Sequence, residues 1–455
     1  MLTSPPDDAE LERARSRHDD VVRRARQIKR RRSAAVGAAL VAIAVVALAL
    51  PFTATHGAGD GRQVVTTSPP PPPSSLAPTT TADRSTRSTR STPTTLAAPL
   101  ARGQEAPRSA IPWSQVGPGW TMALWSPEPA PSPGVTTGVA PAATETLYLV
   151  NPIGGRYAVA TVPTGLVVED WSATGRVALL GSYGSSLETV DLGTGAAHTV
   201  SSSSKGRLLT GVLTKPNGQA LLVLHQTTSN PATDTLERIG RDGAHQLTYP
   251  TDLGQVGTFD GGFLPSADGT ELVLGATRGL AMVANDGQVL RPLTIPSGEP
   301  GAVFADCEPV RWWDAATLVV QCSGSTGLWL VPTDGSPPRG LTRNETGTVD
   351  LGDQDAWRIG STAYVQALGA CGYRYLATVN ADGTTTPVEV PGVISGSSVV
   401  VIGVTGSRLE LQTTVADCGG GQSLVWYDPG ARTTEAILGP PLDGGGVTSA
   451  VAEQG

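Results

Sequence analysis

The sequence predicts an all-β chain folded as a seven-bladed β-propeller of four-stranded blades, with six blades and an irregular first unit as the alternative. Three observations predict it. A strand–turn–strand element recurs seven times at near-constant spacing, and period is the strongest clue to architecture. A second strand–turn–strand element precedes each copy. The composition is rich in turn formers, with 55 Gly and 37 Pro in 455 residues, and only 16% of residues are charged. That charge is well under the usual quarter, which suits short strands and argues against long amphipathic helices.

The clearest copies are "LYLVNPIGGRYAVATV" from Leu147, "LETVDLGTGAAHTV" from Leu187 and "LERIGRDGAHQLTY" from Leu236. "LAMVANDGQVLRPLTI" from Leu280, "LWLVPTDGSPPRGLT" from Leu328, "LATVNADGTTTPVEV" from Leu376 and "LVWYDPGARTTEAIL" from Leu424 follow. Their starts lie 40, 49, 44, 48, 48 and 48 residues apart. The preceding elements include "WSATGRVALLGSY" (171–183), "TKPNGQALLVLHQ" (214–226) and "PSADGTELVLGAT" (265–277), with a first copy in "PWSQVGPGWTMALW" (112–125). Asn-Gly, Asp-Gly and Thr-Gly are hairpin chemistry, because Gly reaches positive φ without steric cost. Two hairpins per period make a four-stranded, WD-like blade that covers its faces only by stacking on neighbours.

The N-terminal third has a different character. Residues 1–33 hold ten Lys/Arg and six Asp/Glu, a charge of +4, so the remainder carries −12 of the total −8. A basic head on an acidic body speaks against nucleic acid as a partner of the body. "AAVGAALVAIAVVALAL" (34–50) carries no charge. As a helix it spans about 26 Å, enough for a bilayer core. The flanking Lys29, Arg30, Arg31 and Arg32 set this end in the cytoplasm by the positive-inside rule. The expected order is a basic cytoplasmic segment (1–33), a transmembrane signal anchor (34–52), a disordered Pro/Ser/Thr linker (53–110), the propeller (111–440) and a C-terminal tail (441–455). A cleavable signal peptide cut near Thr53–Ala58 is the alternative. The linker holds "SPPPPPSS" (68–75) and "STRSTRST" (85–92), which offer too little apolar surface to offset ordering entropy. Extended as polyproline, it reaches at most about 180 Å.

In a blade, both hairpin turns leave one face, and the middle loops with the inter-blade links leave the other. Short Asp-Gly turns make the first face a poor binding surface. Variable loops such as 126–145, 226–234 and 415–422 make the second a better one. Cys307, Cys322, Cys371 and Cys418 belong to that loop face. Cys307 lies in or just before the first strand of one hairpin and Cys322 ends its second strand, so the two are neighbours. Cys371 and Cys418 occupy matching middle loops 47 residues apart. The expected bonds are 307–322 and 371–418, favoured over free thiols by an exported location. Trp171, Trp312 and Trp357 stand near the ends of first strands, where large side chains wedge between blades.

Catalytic spacing is absent. There is no G-x-S-x-G elbow, and His198, His225 and His245 are scattered, without metal-ligand spacing. No C-x-x-C pair suggests zinc. Hence no catalytic residue, metal or cofactor is expected. Glu169 and Asp170 are adjacent acids of the type used in glycoside chemistry, but neighbours on a strand point to opposite faces.

Two stretches carry a family resemblance. "PSADGTELVL…LAMVANDGQVLRPLT" and "LWLVPTDGSPPRGLT" resemble propeller repeats of the TolB type, with their Ser-Pro-Asp-Gly, strand, strand, Asp-Gly, Leu-Thr pattern. The resemblance covers residues 111–440 and implies the fold. The separate N-terminal α/β domain of TolB is not visible here, so its partners are not carried over. The Ala/Gly/Arg/Thr-rich style and the anchor-plus-linker layout are similar to exported propellers of actinobacteria. The expected function is a membrane-anchored extracytoplasmic binding or scaffold module for a protein or cell-wall ligand. The alternatives are a glycan-active hydrolase or lyase, and a transmembrane sensor.

Overall fold

A computed structural model describes residues 99–453 except 129–141, 183–185, 201–205, 228–232, 298–300, 324, 326, 344–351, 353, 369–373, 394–397 and 415–421. The expected cytoplasmic segment, the anchor and the linker up to residue 98 lie outside the described residues, as do Cys371, Cys418 and most of the longer middle loops. No helix among the described residues is long and apolar enough to cross a membrane.

The described chain is a β-propeller built of strands and two single-turn 3-10 helices. Strand β1 (Glu105–Pro107) is followed by β2 (Thr121–Ser126), β3 (Thr144–Val150) and β4 (Arg156–Pro163). Six antiparallel four-strand meanders come next. The second meander is β5 (Leu166–Ser172), β6 (Val177–Ser182), β7 (Ser186–Asp191) and β8 (Ala197–Val200). The third is β9 (Arg207–Leu213), β10 (Ala220–Gln226), β11 (Asp234–Gly240) and β12 (His245–Thr248). The fourth is β13 (Phe259–Pro265), β14 (Glu271–Ala276), β15 (Gly279–Ala284) and β16 (Val289–Leu293). The fifth is β17 (Ala305–Asp314), β18 (Thr317–Ser323), β19 (Leu328–Pro332) and β20 (Arg339–Gly340), joined to the fourth by one residue pair, Ala276 with Cys307. The sixth is β21 (Asp355–Ile359), β22 (Thr362–Leu368), β23 (Arg374–Val379) and β24 (Thr385–Pro387). The seventh is β25 (Val399–Thr405), β26 (Arg408–Thr414), β27 (Gln422–Asp428) and β28 (Thr433–Leu438). The last strand, β29 (Gly446–Ala452), returns to pair antiparallel with β2. It thereby becomes the innermost strand of the first meander, in the order β29-β2-β3-β4 with β1 on the outer edge.

This return corrects two expectations. Residues 441–455 are not a tail, because β29 lies within them. Residues 112–120 supply no first strand, because Pro112, Gly117, Pro118 and Gly119 turn the chain there instead; proline brings no ladder N–H, and Gly119 sits at φ +82°. The linker boundary also moves. Residues 99–110 are built into the fold, with β1 running parallel to β4.

Second strands read as continuous apolar runs because both of their faces are covered. In β6, Ala178 and Leu180 pack toward the first meander, while Val177 and Leu179 pack toward the third. In β10, Leu221 and Val223 face the second meander and Leu222 and Leu224 face the fourth. The same alternation yields seven apolar clusters, one in each seam between successive meanders. The seam between the seventh and first holds Leu424 and Trp426 against Ala123, Tyr148, Val447 and Ala450. Each large buried side chain contributes about 1.5–3 kcal/mol, so the stability lies in the seams. The outer strands β8, β12 and β16 are short and largely exposed.

The hairpin turns follow the predicted chemistry. Asp268 Oδ1 accepts from Ser266 Oγ at 2.7 Å and from Thr270 N at 3.1 Å. Gly269 then takes φ +72°, and a Cβ there would lie 2.0 Å from the Lys215 carbonyl oxygen.

Candidate functional site

The polar side chains of the inner strands are engaged across seams. Trp171 Nε1 of β5 donates to the Val451 carbonyl of β29 at 2.9 Å. Trp312 Nε1 of β17 donates to the Pro265 carbonyl at the end of β13, also at 2.9 Å. These two Trp are wedges of the expected kind. Trp357 is buried as well, with the Arg311 guanidinium stacked 3.2 Å from its ring centroid. Arg311 grips Asp355 through two bonds, Nε to Oδ1 at 2.5 Å and Nη2 to Oδ2 at 2.8 Å, joining the fifth meander to the sixth. Arg238 donates to Asn285 between the third and fourth. Gln366 donates to the Val399 carbonyl and accepts from Val401 N between the sixth and seventh. Thr121 Oγ1 donates to Glu410 Oε1 at 2.5 Å between the seventh and first.

A group of charged side chains sits where the first, second and third meanders meet on the turn face. Asp170 accepts from Trp171 N at 2.8 Å and Leu213 N at 3.0 Å, and pairs with Lys215 Nζ at 3.2 Å. Glu169 Oε2 accepts from Thr210 Oγ1 at 3.0 Å. Both acids therefore reach the third meander. The expectation that they point to opposite faces is corrected here, because β5 bulges between Val168 and Asp170 and a bulge re-aims side chains. Glu453, just past β29, completes the group. Its Oε1 accepts from Ala173 N at 3.4 Å, and its own N–H donates to the Trp120 carbonyl at 2.8 Å.

Burial pushes the Glu453 carboxyl up to about 7, against the lowering pull of Lys215 and the Ala173 N–H and with a further push from Asp170. Glu169 is raised too, first by burial, while the Thr210 hydroxyl opposes and the Asp170 charge adds to the rise. Two raised carboxyls beside an Asp–Lys pair form an acid–base grouping. Sequence reasoning missed Glu453 and Lys215, since only closure by β29 brings residue 453 beside residues 170 and 215.

The histidines stay apart. His198 and His245 lie exposed on outer strands, and His225 is buried 3.9 Å from Glu237. No three His, Cys, Asp or Glu converge for a metal among the described residues. Cys307 and Cys322 face each other across β17 and β18 and form a disulfide. An open cleft of about 350 Å³ lies between the sixth and seventh meanders, lined by Tyr364, Thr378, Pro387, Tyr427, Pro429 and Arg432. It opens on the turn face, the one expected to be poor for binding.

No family model matches the chain, and no curated protein matches it. The solved structures similar to it include three that contain a β-propeller or carry the TolB name. The β-propeller domain of Cps50 (Swd1) from Myceliophteria thermophila shares 12% identity over 63% of this chain and 91% of that chain, with a TM-score of 0.44. A putative TolB from Agrobacterium tumefaciens shares 15% over 65% and 87%, with a TM-score of 0.34. The β-propeller domain of the Trilobed protease from Pyrococcus furiosus shares 11% over 65% and 90%, with a TM-score of 0.41. At these scores the likeness says nothing about substrate or partner.

Proposed function

We propose that the chain is a membrane-anchored, extracytoplasmic, seven-bladed propeller that serves as a binding or scaffold module, offering its loop face to a protein or cell-wall glycan. One observation carries the reading against catalysis: the inner-strand polar groups are spent on holding neighbouring meanders together. Asp170, Asp355, Arg311 and Gln366 have their partners across a seam, and Glu410 takes the Thr121 hydroxyl through one of its two oxygens. The seven seam clusters support the blade count. The apolar run 34–50 behind its basic flank supports the single-pass anchor with the N-terminus in the cytoplasm.

Photo-crosslinking of the full chain in cells tests the reading. A photoreactive residue at Thr233 or Arg278 samples the loop face, and one at Asp286 or Asp334 samples the turn face. Discrete adducts from the first pair alone are expected. Adducts confined to the second pair would move binding to the turn-face cleft, and none from either would sink the module reading.

A second reading, a glycan-active hydrolase or lyase, draws on the grouping of Glu169, Asp170, Lys215 and Glu453. Release of reducing ends from cell-wall glycan by the full chain, lost in Glu453→Gln, would favour it.

A further inference from the structure

Strand β29 closes the ring, and a buried acid stands at each of its ends. At one end, Glu410 of β26 is fully buried. Its Oε1 takes the Thr121 hydroxyl of β2, and its Oε2 has no hydrogen-bond partner. Around it stand Gly403 of β25, Ala452 of β29 and its cross-strand neighbour Trp426 of β27. At the other end, Glu145 of β3 is 2% exposed, beside Thr448 of β29 and opposite Val162 of β4, and its Oε2 also lacks a partner. No cation is among the groups that act on either acid. Glu453, at the exit of β29, does face charge, from Lys215 and Asp170. A buried carboxylate without its full set of partners is costly, whereas the protonated acid is tolerated.

We propose that β29 is a proton-dependent latch: it stays zipped to β2 while Glu145 and Glu410 are protonated, and losing those protons releases it while the other meanders remain folded. The direction follows from linkage. Burial holds both carboxyls up at about 7, above their ordinary 4.5. The closed form thus binds more protons than the open form between those values, and closure weakens as pH rises through them. From pH 5.5 to pH 8 the opening equilibrium should rise about 20-fold per carboxyl. This inference is independent of the binding reading.

Hydrogen exchange of the oxidised full chain in detergent, read by mass spectrometry and corrected for intrinsic exchange rates, tests it. The peptide spanning residues 446–453 should open about 400-fold more readily at pH 8 than at pH 5.5, the product of the two carboxyls. The β10 peptide, 220–226, should change by no more than about 3-fold. Glu410→Gln and Glu145→Gln should each remove about 20-fold of the rise. The proposal is overturned if β29 shows no more pH dependence than β10, or if the rise survives intact in the double variant. Should those variants not fold, Glu453→Gln, which leaves Glu145 and Glu410 in place, should keep the rise at β29, and its loss there would overturn the proposal.

Discussion

Replacing Trp171 by Phe tests the claim that seams, and the seam around β29 in particular, hold the molecule together. Trp171 is 1% exposed, and its indole N–H reaches back to the Val451 carbonyl of β29. Phenylalanine keeps one ring in the cluster with Met122, Leu124 and Leu180 and removes the donor. The lost hydrogen bond costs about 1 kcal/mol. The missing part of the indole leaves roughly 40 Å³ unfilled, which at about 24 cal/mol per Å³ costs a further ~1 kcal/mol. The expected loss is therefore about 2 kcal/mol, with more if the freed carbonyl stays dry. Urea unfolding of the full chain in detergent, followed by near-UV circular dichroism, measures it. Trp329→Phe is the control, because that indole donates only to Ser325 Oγ beside it in the same meander, and it should cost about half as much or less. If Trp171→Phe is no more destabilising than the control, the wedge reading is wrong and Trp171 is merely buried.

Truncation after Gly445 removes β29, leaving β2 without its inner partner; loss of cooperative unfolding is expected by calorimetry, and an unchanged melt would restore residues 441–455 as a tail. Arg311→Lys breaks the paired bonds to Asp355 and the stack on Trp357, and should lower stability by about 2 kcal/mol in urea, since lysine offers neither fork nor plane. Gly269→Ala forces a side chain into a positive-φ turn against the Lys215 carbonyl and should cost about 2 kcal/mol or more. Reduction of Cys307–Cys322, which spans 15 residues, should cost about 3 kcal/mol on chain-entropy grounds. A non-reducing peptide map should recover that pair, and recovery of a second peptide joining Cys371 to Cys418 would complete the predicted set.

The meander repeat was readable because it is written twice per period in turn chemistry. Asp-Gly pairs and the apolar runs between them locate the hairpins, and the Cys307–Cys322 pairing follows from hairpin register. Closure was not readable. β29 is a short run of small and β-branched residues, and its partner lies more than 300 residues away, so neither turn nor spacing announces the pairing. Glu169 and Asp170 misled for a local reason, since period-two alternation fails at a bulge. Glu410 and Glu145 were passed over for a more general one. In "RLELQTT" and "TETLYLV" the acid alternates with apolar residues, the pattern of a strand with one face in water. Inner strands of stacked meanders have no such face. An acid in the middle of a second or third strand is therefore a candidate for burial, as Glu410 and Glu237 are, although Glu188 of β7 is only partly buried.

The closing seam also receives the chain just before β1, and this changes what the latch implies. Residues 100–107 cross from the seventh meander to the first on the outside. Arg102 meets Glu435 of β28 at 2.6 Å, the Leu100 carbonyl takes Asn151 Nδ2 at 2.8 Å, and β1 runs along β4. Arg156 of β4 binds both Glu105 and Asp443, so it holds the strap and the link into β29 together. The Arg102–Glu435 pair is exposed and worth at most about 1 kcal/mol. The β1 ladder and the half-buried Arg156 pairs carry more. Release of β29 would thus leave the first and seventh meanders joined on their outer edge, opening the ring inside without separating its ends. A latch of that geometry reverses easily, because the strand and its site remain tethered at high effective concentration. Cutting the outer strap by Arg156→Ala should convert the reversible opening at pH 8 into loss of the fold, measured as failure to regain β29 protection on return to pH 5.5. Full recovery in that variant would show that the inner strand alone organises the seam.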